Sequence, residues 1–337
     1  MRVAVVTDAW KPQVNGVVTT LSRVGEALGG WGHEVRFITP REFSTVPLPT
    51  YPEIPIALAP ARRLARLLRD FQPEAVHLAT EGPLGHAARR YCLRRALPFT
   101  TAYHTQFPRY IRMRAPVPLS WTYAWLRRFH RPAQRTLVAT PSMARELEGY
   151  GFPHVVVWSR GVDTDLFRPR DKGFLDLPRP VSLYVGRVAV EKNLEDFLGL
   201  ELPGTKVVVG EGPDRAELER RHPETRFVGY RYGEDLARHV AAADVFVFPS
   251  RTDTFGLTML EAMACGVPVA AYPVTGPVDV VVDGVTGALD EDLGRAVARA
   301  LELSPENCVA HARGRTWSHC ARQFLDYLAP FGAEAVG

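Results

Sequence analysis

Two carboxylates flank a glycine turn in the stretch FPSRTDTFGLTMLEAMACGVPVAA, residues 248–271. Asp253 lies before Phe255-Gly256-Leu257, and Glu261 lies after them, in a segment whose apolar periodicity predicts a helix. Free backbone N–H groups and the helix dipole favour an anion at such a helix start. Ionised carboxylates only accept hydrogen bonds, so they suit a ligand that carries hydroxyl groups. The stretch therefore indicates a ligand that combines phosphate with hydroxyl groups, such as a nucleotide sugar. The alternative is that Asp253 is a turn residue and Glu261 a charge at a helix start.

Two cations follow the apolar strand predicted over Val181–Val185. Arg187 and Lys192 lie within one short segment after this strand. Such a pair could clamp a pyrophosphate, the arginine through its planar fork and the lysine as a point charge. A solvated surface pair is the alternative.

Two further candidates lie at predicted strand ends or helix starts in the first half of the chain. His104 follows the apolar strand predicted over Phe99–Tyr103 and would project from its carboxyl end, although a lone histidine is more often structural. Gly16 opens a predicted helix, where its missing side chain permits an anion to approach the backbone. A plain strand-to-helix turn is the alternative for Gly16.

Alternating strands and helices position these residues. Such alternation is typical of a parallel, doubly wound sheet, so we expect an α/β protein with two Rossmann-like domains and a ligand cleft between them. The expected strands are Val3–Thr7, Glu34–Thr39, Ala75–Leu78, Phe99–Tyr103, Thr136–Thr140, Val155–Trp158, Val181–Val185, Thr205–Val209, Arg226–Val228, Val245–Phe248, Val267–Ala270 and Gly287–Leu289. The expected helices cover residues 17–28, 61–70, 83–96, 119–131, 142–149 and 310–328.

The length of 337 residues also fits two domains. The stretch Arg160–Pro180, rich in Asp, Pro and Gly, predicts a linker between domains of residues 1–165 and 175–309. A helix over 310–330 is expected to pack back on the first domain. Scattered cysteines favour a reducing compartment over zinc or a disulfide framework. Because no apolar run suggests a signal peptide or a spanning helix, we expect a cytoplasmic protein.

Charge is divided unevenly along the chain. Residues 1–170 carry 24 Lys and Arg against 12 Asp and Glu, whereas residues 171–337 carry 17 against 25. The cationic excess of the first half is mostly arginine and indicates an anionic partner, with a composition bias toward arginine as the alternative. Nucleic acid is not expected, since the second half is acidic and no recognition module is present.

The stretch of residues 107–131 mixes arginines with aromatic residues. This composition is typical of an element that docks on a membrane surface. The alternative is an aromatic core with a solvated arginine face. The candidate docking residues are Arg109, Arg112, Arg114, Trp121, Trp125, Arg127 and Arg128.

Motifs in a consistent order along the chain resemble the retaining glycosyltransferases of family 4, which have the two-domain GT-B fold. They are TDAWKPQVNGVVTTL near the start, YHTQFPRY at 103–110, RGVDTDLFRP at 160–169, YVGRVAVEKN at 184–193, GEGPDR at 210–215 and the stretch 248–271. The resemblance covers nearly the whole chain. The first half looks most like bacterial GDP-mannose-dependent α-mannosyltransferases and diacylglycerol glycosyltransferases.

The resemblance implies catalytic roles for residues in both halves. Arg187 and Lys192 would neutralise the departing nucleotide diphosphate, a role that a metal ion has in other transferases, so neither a metal nor a cofactor is expected. His104 would contact the donor sugar or its phosphate. Asp253 stands where the family has a sugar-contacting glutamate and is one methylene shorter. This departure puts its sugar contact in doubt.

The resemblance also implies donor-binding residues. Glu261 would bind the ribose hydroxyls, and Gly16 would lie against the donor diphosphate. Gly212 belongs to a turn placed near the nucleobase, and Tyr230 is a candidate for stacking on the base, although it could equally pack on the linker. The phosphates would be bound by the backbone N–H groups of Phe255, Gly256 and Leu257.

We therefore expect a hexosyltransferase that is peripheral at the inner face of the cytoplasmic membrane. Its donor would be GDP-mannose or a UDP-hexose or UDP-hexuronate, its acceptor a membrane lipid, and its stereochemistry retaining. Transfer to a soluble sugar or polysaccharide is one alternative. A nucleotide-sugar-binding module without turnover is another, and the shortened Asp253 is its only support.

Overall fold

Two compact units make up the chain. The computed structural model describes residues 1–13, 15–48, 51–114 and 116–332, without the side chains of residues 51–53, 113 and 114. Unit 1 contains Met1–Arg160 and the chain from Trp317 onward, whereas unit 2 is the continuous segment Gly161–Thr316. The chain thus leaves unit 1 once and returns to it.

Short parallel strands alternate with helices in both units. The strands of the described residues are β1 (Arg2–Val6), β2 (Glu34–Ile38), β3 (Thr45–Leu48), β4 (Tyr51–Ala57), β5 (Ala75–Leu78), β6 (Thr100–Tyr103), β7 (Arg135–Val138), β8 (Val155–Val157), β9 (Val181–Val185), β10 (Thr205–Val209), β11 (Arg226–Gly229), β12 (Val245–Phe248), β13 (Val269–Ala271) and β14 (Gly287–Leu289). The helices are α1 (Gly16–Gly30), α2 (Ala61–Phe71), α3 (Pro83–Arg94), α4 (Phe107–Arg114), α5 (Leu119–His130), α6 (Pro141–Gly149), α7 (Leu194–Leu198), α8 (Arg215–Arg221), α9 (Gly233–Ala241), α10 (Leu257–Ala264), α11 (Pro277–Val280), α12 (Leu293–Ala300), α13 (Pro305–Arg313) and α14 (Trp317–Tyr327).

Unit 1 is built on a parallel sheet in the order β2-β1-β5-β6-β7-β8. Successive residues of a strand point to opposite faces, and those of β1 are buried on both. Ala4 and Val6 join a cluster with Leu64 of α2. Val3 and Val5 join another cluster that includes residues of α1 and α14. Helices therefore cover both faces, as in a doubly wound fold.

Unit 2 repeats this plan in the order β11-β10-β9-β12-β13-β14. All of its strand pairs are parallel. β9 continues to β10 on one side, and β12 continues to β13 on the other. Neighbours whose connections diverge in this way form the topological switch point, where ligands of open α/β sheets bind. The predicted fold class of two Rossmann-like units is confirmed.

The prediction of a single C-terminal helix over residues 310–328 is wrong. α13 ends at Arg313 with Gly314 as its C-cap, and Thr316 then forms an isolated parallel bridge with Val162. Extended backbone at the bridge is incompatible with a continuing helix, and glycine is a weak helix former. As a result, α13 packs against α10 in unit 2, whereas α14 packs against α1 in unit 1.

The division of the chain also differs from the predicted boundaries at residues 165, 175 and 309. Unit 2 begins at Gly161, because most of the stretch predicted as a linker packs within this unit. Arg170, for example, contacts Glu234 of α9 at 2.6 Å. Asp, Pro and Gly in this stretch therefore mark irregular but packed structure.

Three elements of unit 1, β3, β4 and α4, were not predicted from the sequence. β3 and β4 pair antiparallel as a separate two-stranded sheet, although Pro47 and Pro55 lie opposite each other in it. Proline cannot donate to a strand ladder and usually argues against a strand. α4 was missed because Pro108 follows its first residue, a position at which a helix tolerates proline.

Candidate functional site

The loops after β9 and β12 carry the charged candidates of unit 2. Because parallel strands end at the same sheet edge, Arg187 and Lys192 after β9 lie on the same edge as Asp253 after β12. This edge at the switch point is where such folds bind ligands. Two motifs that were separate in the sequence thus form one site.

Lys192 and Asp253 form an ion pair at the switch point. Lys192 Nζ lies 2.5 Å from Asp253 Oδ1, and the two side chains are 20% and 18% exposed. The sequence prediction gave these residues separate tasks, one on the leaving phosphate and one on the sugar. In the structure the carboxylate of Asp253 is a counter-ion of the Lys192 ammonium.

Backbone and hydroxyl contacts fix the spacing of this pair. The hydroxyl of buried Thr252 donates to the carbonyl of Glu191 at 3.1 Å. The side-chain amide of Asn193 donates to the carbonyl of Pro249 at 3.3 Å. The residues on each side of Lys192 are therefore bonded to the loop that carries Asp253. Sequence reasoning missed Thr252 and Asn193, because nothing in their local spacing indicates a contact between the two loops.

Arg187 lies near the aromatic end of β11. Its carbonyl accepts a hydrogen bond of 2.8 Å from the Tyr184 hydroxyl. Burial raises the pKa of Tyr230, and the positive charge of Arg187 opposes that rise. Tyr230 is 37% exposed, and its ring centroid lies 5.9 Å from that of Tyr232. The two exposed rings offer a stacking surface beside a cation.

Gly212 makes a close contact between loops. A Cβ atom at this position would lie 2.0 Å from the Val188 carbonyl oxygen. Asp214 N also donates to that oxygen at 3.2 Å. The packing of the β9 and β10 loops alone thus requires glycine at 212. Its contact with a nucleotide stays a prediction.

The glycine turn leads into α10 as expected. Gly256 adopts φ +86°, a left-handed conformation that favours glycine, and a Cβ there would lie 2.7 Å from Met259 Cε. The N-cap of the helix that begins at Leu257 is Gly256, which has no side chain that could cap it. The side chain of Phe255 is buried, and Glu261 lies one turn into the helix with its side chain partly exposed. Backbone N–H groups at this helix start are suited to an anion.

The helix start at Gly16 in unit 1 is different. Asn15 Oδ1 accepts hydrogen bonds of 3.0 Å from the N–H groups of both Val17 and Val18. An anion bound at this helix start would have to displace the asparagine amide. The cap was visible in the sequence, since asparagine before a helix is a preferred N-cap.

His104 follows β6 in unit 1 and is mostly buried. Its Nδ1 lies 3.2 Å from Nη2 of Arg160, which follows β8. Burial, then the positive charge of Arg160, holds the pKa of His104 well below its usual range. The imidazole is therefore neutral near pH 7.

The predicted docking residues lie on α4 and α5. Trp121 and Trp125 are 72% and 51% exposed, so these two are not core residues. Arg112 and Arg128 are exposed as well, whereas Arg127 donates to the carbonyl of Tyr150. Arg109 pairs with Glu146 at 3.0 Å. The side chain of Arg114 lies outside the described residues.

Two further features concern metals and membranes. Among the residues that the structure describes, no group of three or more His, Cys, Asp or Glu could hold a metal ion. Metal independence stays a prediction. No helix in the described part of the chain is long and apolar enough to cross a membrane.

Comparisons with known proteins show the family. Residues 14–166 match the model of Glycosyltransferase Family 4, and residues 179–303 match that of Glycosyl transferases group 1. A GDP-mannose-dependent alpha-mannosyltransferase of Mycobacterium tuberculosis is 33% identical, over 97% of this chain and 96% of the relative. A GDP-mannose-dependent alpha-(1-6)-phosphatidylinositol dimannoside mannosyltransferase of the same species is 27% identical, over 100% and 97%.

The fold comparison gives the same class. The structure of a sucrose-phosphate synthase from Thermosynechococcus elongatus superposes with a TM-score of 0.76 at 22% identity, over 96% of this chain and 97% of that chain. The Rossmann-like units thus have the GT-B class of fold. The donor contacts of the residues at the switch point of unit 2 stay a prediction. The chain belongs to the glycosyltransferases of family 4 and is a hexosyltransferase that uses a nucleotide sugar.

Proposed function

We propose that the enzyme transfers mannose from GDP-mannose to a lipid-anchored acceptor, with retention at the anomeric carbon and without a metal ion. The observation that carries the donor is the 33% identity, over nearly the full length of both chains, with a GDP-mannose-dependent relative. The second relative, whose name specifies a phosphatidylinositol dimannoside, supports a lipid acceptor. A UDP-hexose or UDP-hexuronate is the competing donor.

The chemistry proposed for unit 2 is stabilisation of the leaving group. The bond between the anomeric carbon and the β-phosphate oxygen breaks, and charge develops on that oxygen. Lys192, Arg187 and the start of α10 supply positive charge and N–H donors at one sheet edge, and preorganised groups of this kind lower such barriers. The acceptor oxygen bonds to the same face of the sugar, and its proton passes to the departing phosphate.

Membrane docking is proposed for α4 and α5 of unit 1. Trp121 and Trp125 expose large apolar rings, and Phe107 and Ile111 on α4 are 40% and 37% exposed. Exposed arginines accompany them on both helices. In an interfacial helix pair, apolar rings enter the headgroup boundary and cationic side chains contact anionic lipid. We propose that this surface rests on the inner face of the membrane and brings the lipid acceptor to the enzyme.

A thermal-shift panel of GDP, UDP and ADP, each with and without its sugar, tests the donor. A ligand at about 100 times its dissociation constant stabilises the fold by about 2.7 kcal/mol, enough for one nucleotide to stand out. We expect GDP and GDP-mannose to give the largest shift. A larger shift with UDP would replace the proposed donor, and no shift with any nucleotide would contradict nucleotide-sugar use.

Vesicle co-sedimentation tests the acceptor side. We expect the chain to bind vesicles that contain anionic phospholipid, and a variant with Trp121→Ser and Trp125→Ser to lose most of that binding. Both side chains are exposed, so the thermal midpoint should stay near that of the wild type. Binding that is insensitive to anionic lipid and to the tryptophans would favour a soluble sugar acceptor. Hydrolysis of the donor without transfer to any acceptor would leave the lipid proposal without support.

A further inference from the structure

Arg160 makes a set of contacts that the proposed function does not use. It follows β8 by three residues and is only 4% exposed. Its Nη1 donates to the carbonyls of Trp158 and Ser159 at 2.7 and 3.0 Å, and its guanidinium carbon lies 4.4 Å from the centre of the Trp158 ring. Burial lowers the pKa of Arg160 to about 10, so the side chain is still charged at neutral pH.

The other end of this guanidinium faces His104. Nη2 lies 3.2 Å from His104 Nδ1. A guanidinium has donors only, so Nδ1 must accept, and a neutral imidazole that accepts at Nδ1 carries its proton on Nε2. The charged and titratable groups that face the ring are Arg160 and His77, and the Trp158 ring packs at 5.8 Å. Burial lowers the pKa of His77 to about 3, so it is neutral and adds no charge.

The residues around Arg160 are fixed by the last helix of the chain. Trp158 Nε1 donates to the carbonyl of Cys320 at 2.9 Å. The backbone N–H and hydroxyl of Ser159 donate to Gln323 Oε1 at 2.9 and 2.6 Å. Both acceptors belong to α14. The residues that hold the Arg160 guanidinium are therefore fixed in place. Packing, rather than solvent, determines the distance between the guanidinium and His104 Nδ1.

We propose that Arg160 is a positioning residue that fixes His104 in its neutral Nε2–H tautomer and so presents Nε2–H as a hydrogen-bond donor to an oxygen of the substrate. The substrate contact rests on the proposed function, whereas the tautomer does not. A donor at Nε2 suits a sugar hydroxyl or a phosphate oxygen, both of which accept. The opposite tautomer would offer a lone pair there and would repel a phosphate oxygen.

Nitrogen spectra of the full chain test the assignment without substrate. With histidine labelled by ¹⁵N, two-bond proton–nitrogen correlations distinguish the Nε2–H tautomer, the Nδ1–H tautomer and the imidazolium, and His104→Gln identifies the ring. We expect the Nε2–H pattern for His104 at pH 7.5. In Arg160→Met, which keeps length but has no donor, the Nδ1–H form should appear. Arg160→Lys keeps a charged donor, so it should show more of the Nε2–H pattern than Arg160→Met does.

A matched control is Arg135→Met, which removes another unit 1 arginine, one that donates to the carbonyl of Tyr327. It should leave the His104 spectrum unchanged.

A wild-type ring in the Nδ1–H or imidazolium form would overturn the proposal, as would an unchanged tautomer in Arg160→Met. If Arg160→Met does not fold, the wild-type and Arg160→Lys spectra decide. Transfer rates should fall about 10- to 100-fold in Arg160→Met and recover in part in Arg160→Lys. If the wild-type enzyme turns over no nucleotide sugar, the proposed function is refuted. The spectra would still test whether Arg160 fixes the tautomer of His104.

Discussion

Replacing Asp253 with Asn should strengthen the binding of a nucleoside diphosphate. Lys192 Nζ lies 2.5 Å from the Asp253 carboxylate, so a diphosphate must share this cation with a carboxylate and also approach its negative charge. Asn keeps the size of the side chain and removes that charge. Both effects act in one direction, toward tighter binding of the diphosphate.

The burial of the pair sets the size of the effect. Exposed ion pairs contribute about 0.2–1 kcal/mol, and loss of one partner of a buried pair costs about 3–5 kcal/mol. With side chains 20% and 18% exposed, this pair lies between these limits. We therefore take about 1.4 kcal/mol, a factor of about ten in Kd.

Isothermal titration calorimetry of the full chain with GDP measures this change. We expect Kd to fall about tenfold in Asp253→Asn, and the gain to become smaller when Lys192→Ala is combined with it, since the cycle isolates the coupling of the two residues. Glu302→Gln, which removes an exposed charge after α12, is the charge-matched control and should bind like the wild type. Weaker or unchanged binding in Asp253→Asn, or a gain of the same size with and without Lys192, would refute the counter-ion role.

Two further predictions concern the same unit. Lys192→Ala should lower kcat about 10²- to 10³-fold, because one preorganised donor to a developing oxyanion contributes about 2.7–4 kcal/mol. Steady-state rates should show no such loss in Lys172→Ala, which removes a partly exposed lysine of unit 2 that pairs with Asp244. Similar rates in the two variants would contradict the leaving-group role. Gly256→Ala should destabilise the protein by about 1–3 kcal/mol, because the φ of +86° is strained for alanine and the new Cβ meets Met259. Urea midpoints should show it. Gly314→Ala should change stability little, because Gly314 has a negative φ and a Cβ there would make only an ordinary contact of 3.8 Å with the His311 carbonyl oxygen.

Much of the fold could be predicted because its signals are local. Val181–Val185, Thr205–Val209 and Val245–Phe248 are short runs in which apolar residues predominate, and each is a strand with the expected bounds. A buried parallel strand needs nothing beyond such a run. The β3–β4 hairpin was missed because its prolines are tolerated only in a small, separate sheet, a context that no local pattern reveals.

The site could be predicted as a set of residues but not as an arrangement. Strand ends and turn glycines located Lys192 and Asp253 separately, yet their contact joins residues 61 positions apart. Sheet order brings them together, and sheet order is a property of the whole unit. The same holds for Arg160 and His104, which come together because β6 and β8 both flank β7. Whether the predicted site residues contact the donor stays a prediction.

The return of the chain to unit 1 has a consequence for synthesis. On the ribosome, β1 to β8 emerge first, but one face of the six-stranded sheet of unit 1 is covered in part by α14, with Cys320 and Phe324 fully buried against it. Unit 2 is complete in sequence before α14 exists. Domains fold as units while the chain grows, so unit 2 should reach its native state first, although it is encoded second. Until then the sheet of unit 1 exposes an apolar face, and a chaperone that binds nascent chains would find its target there.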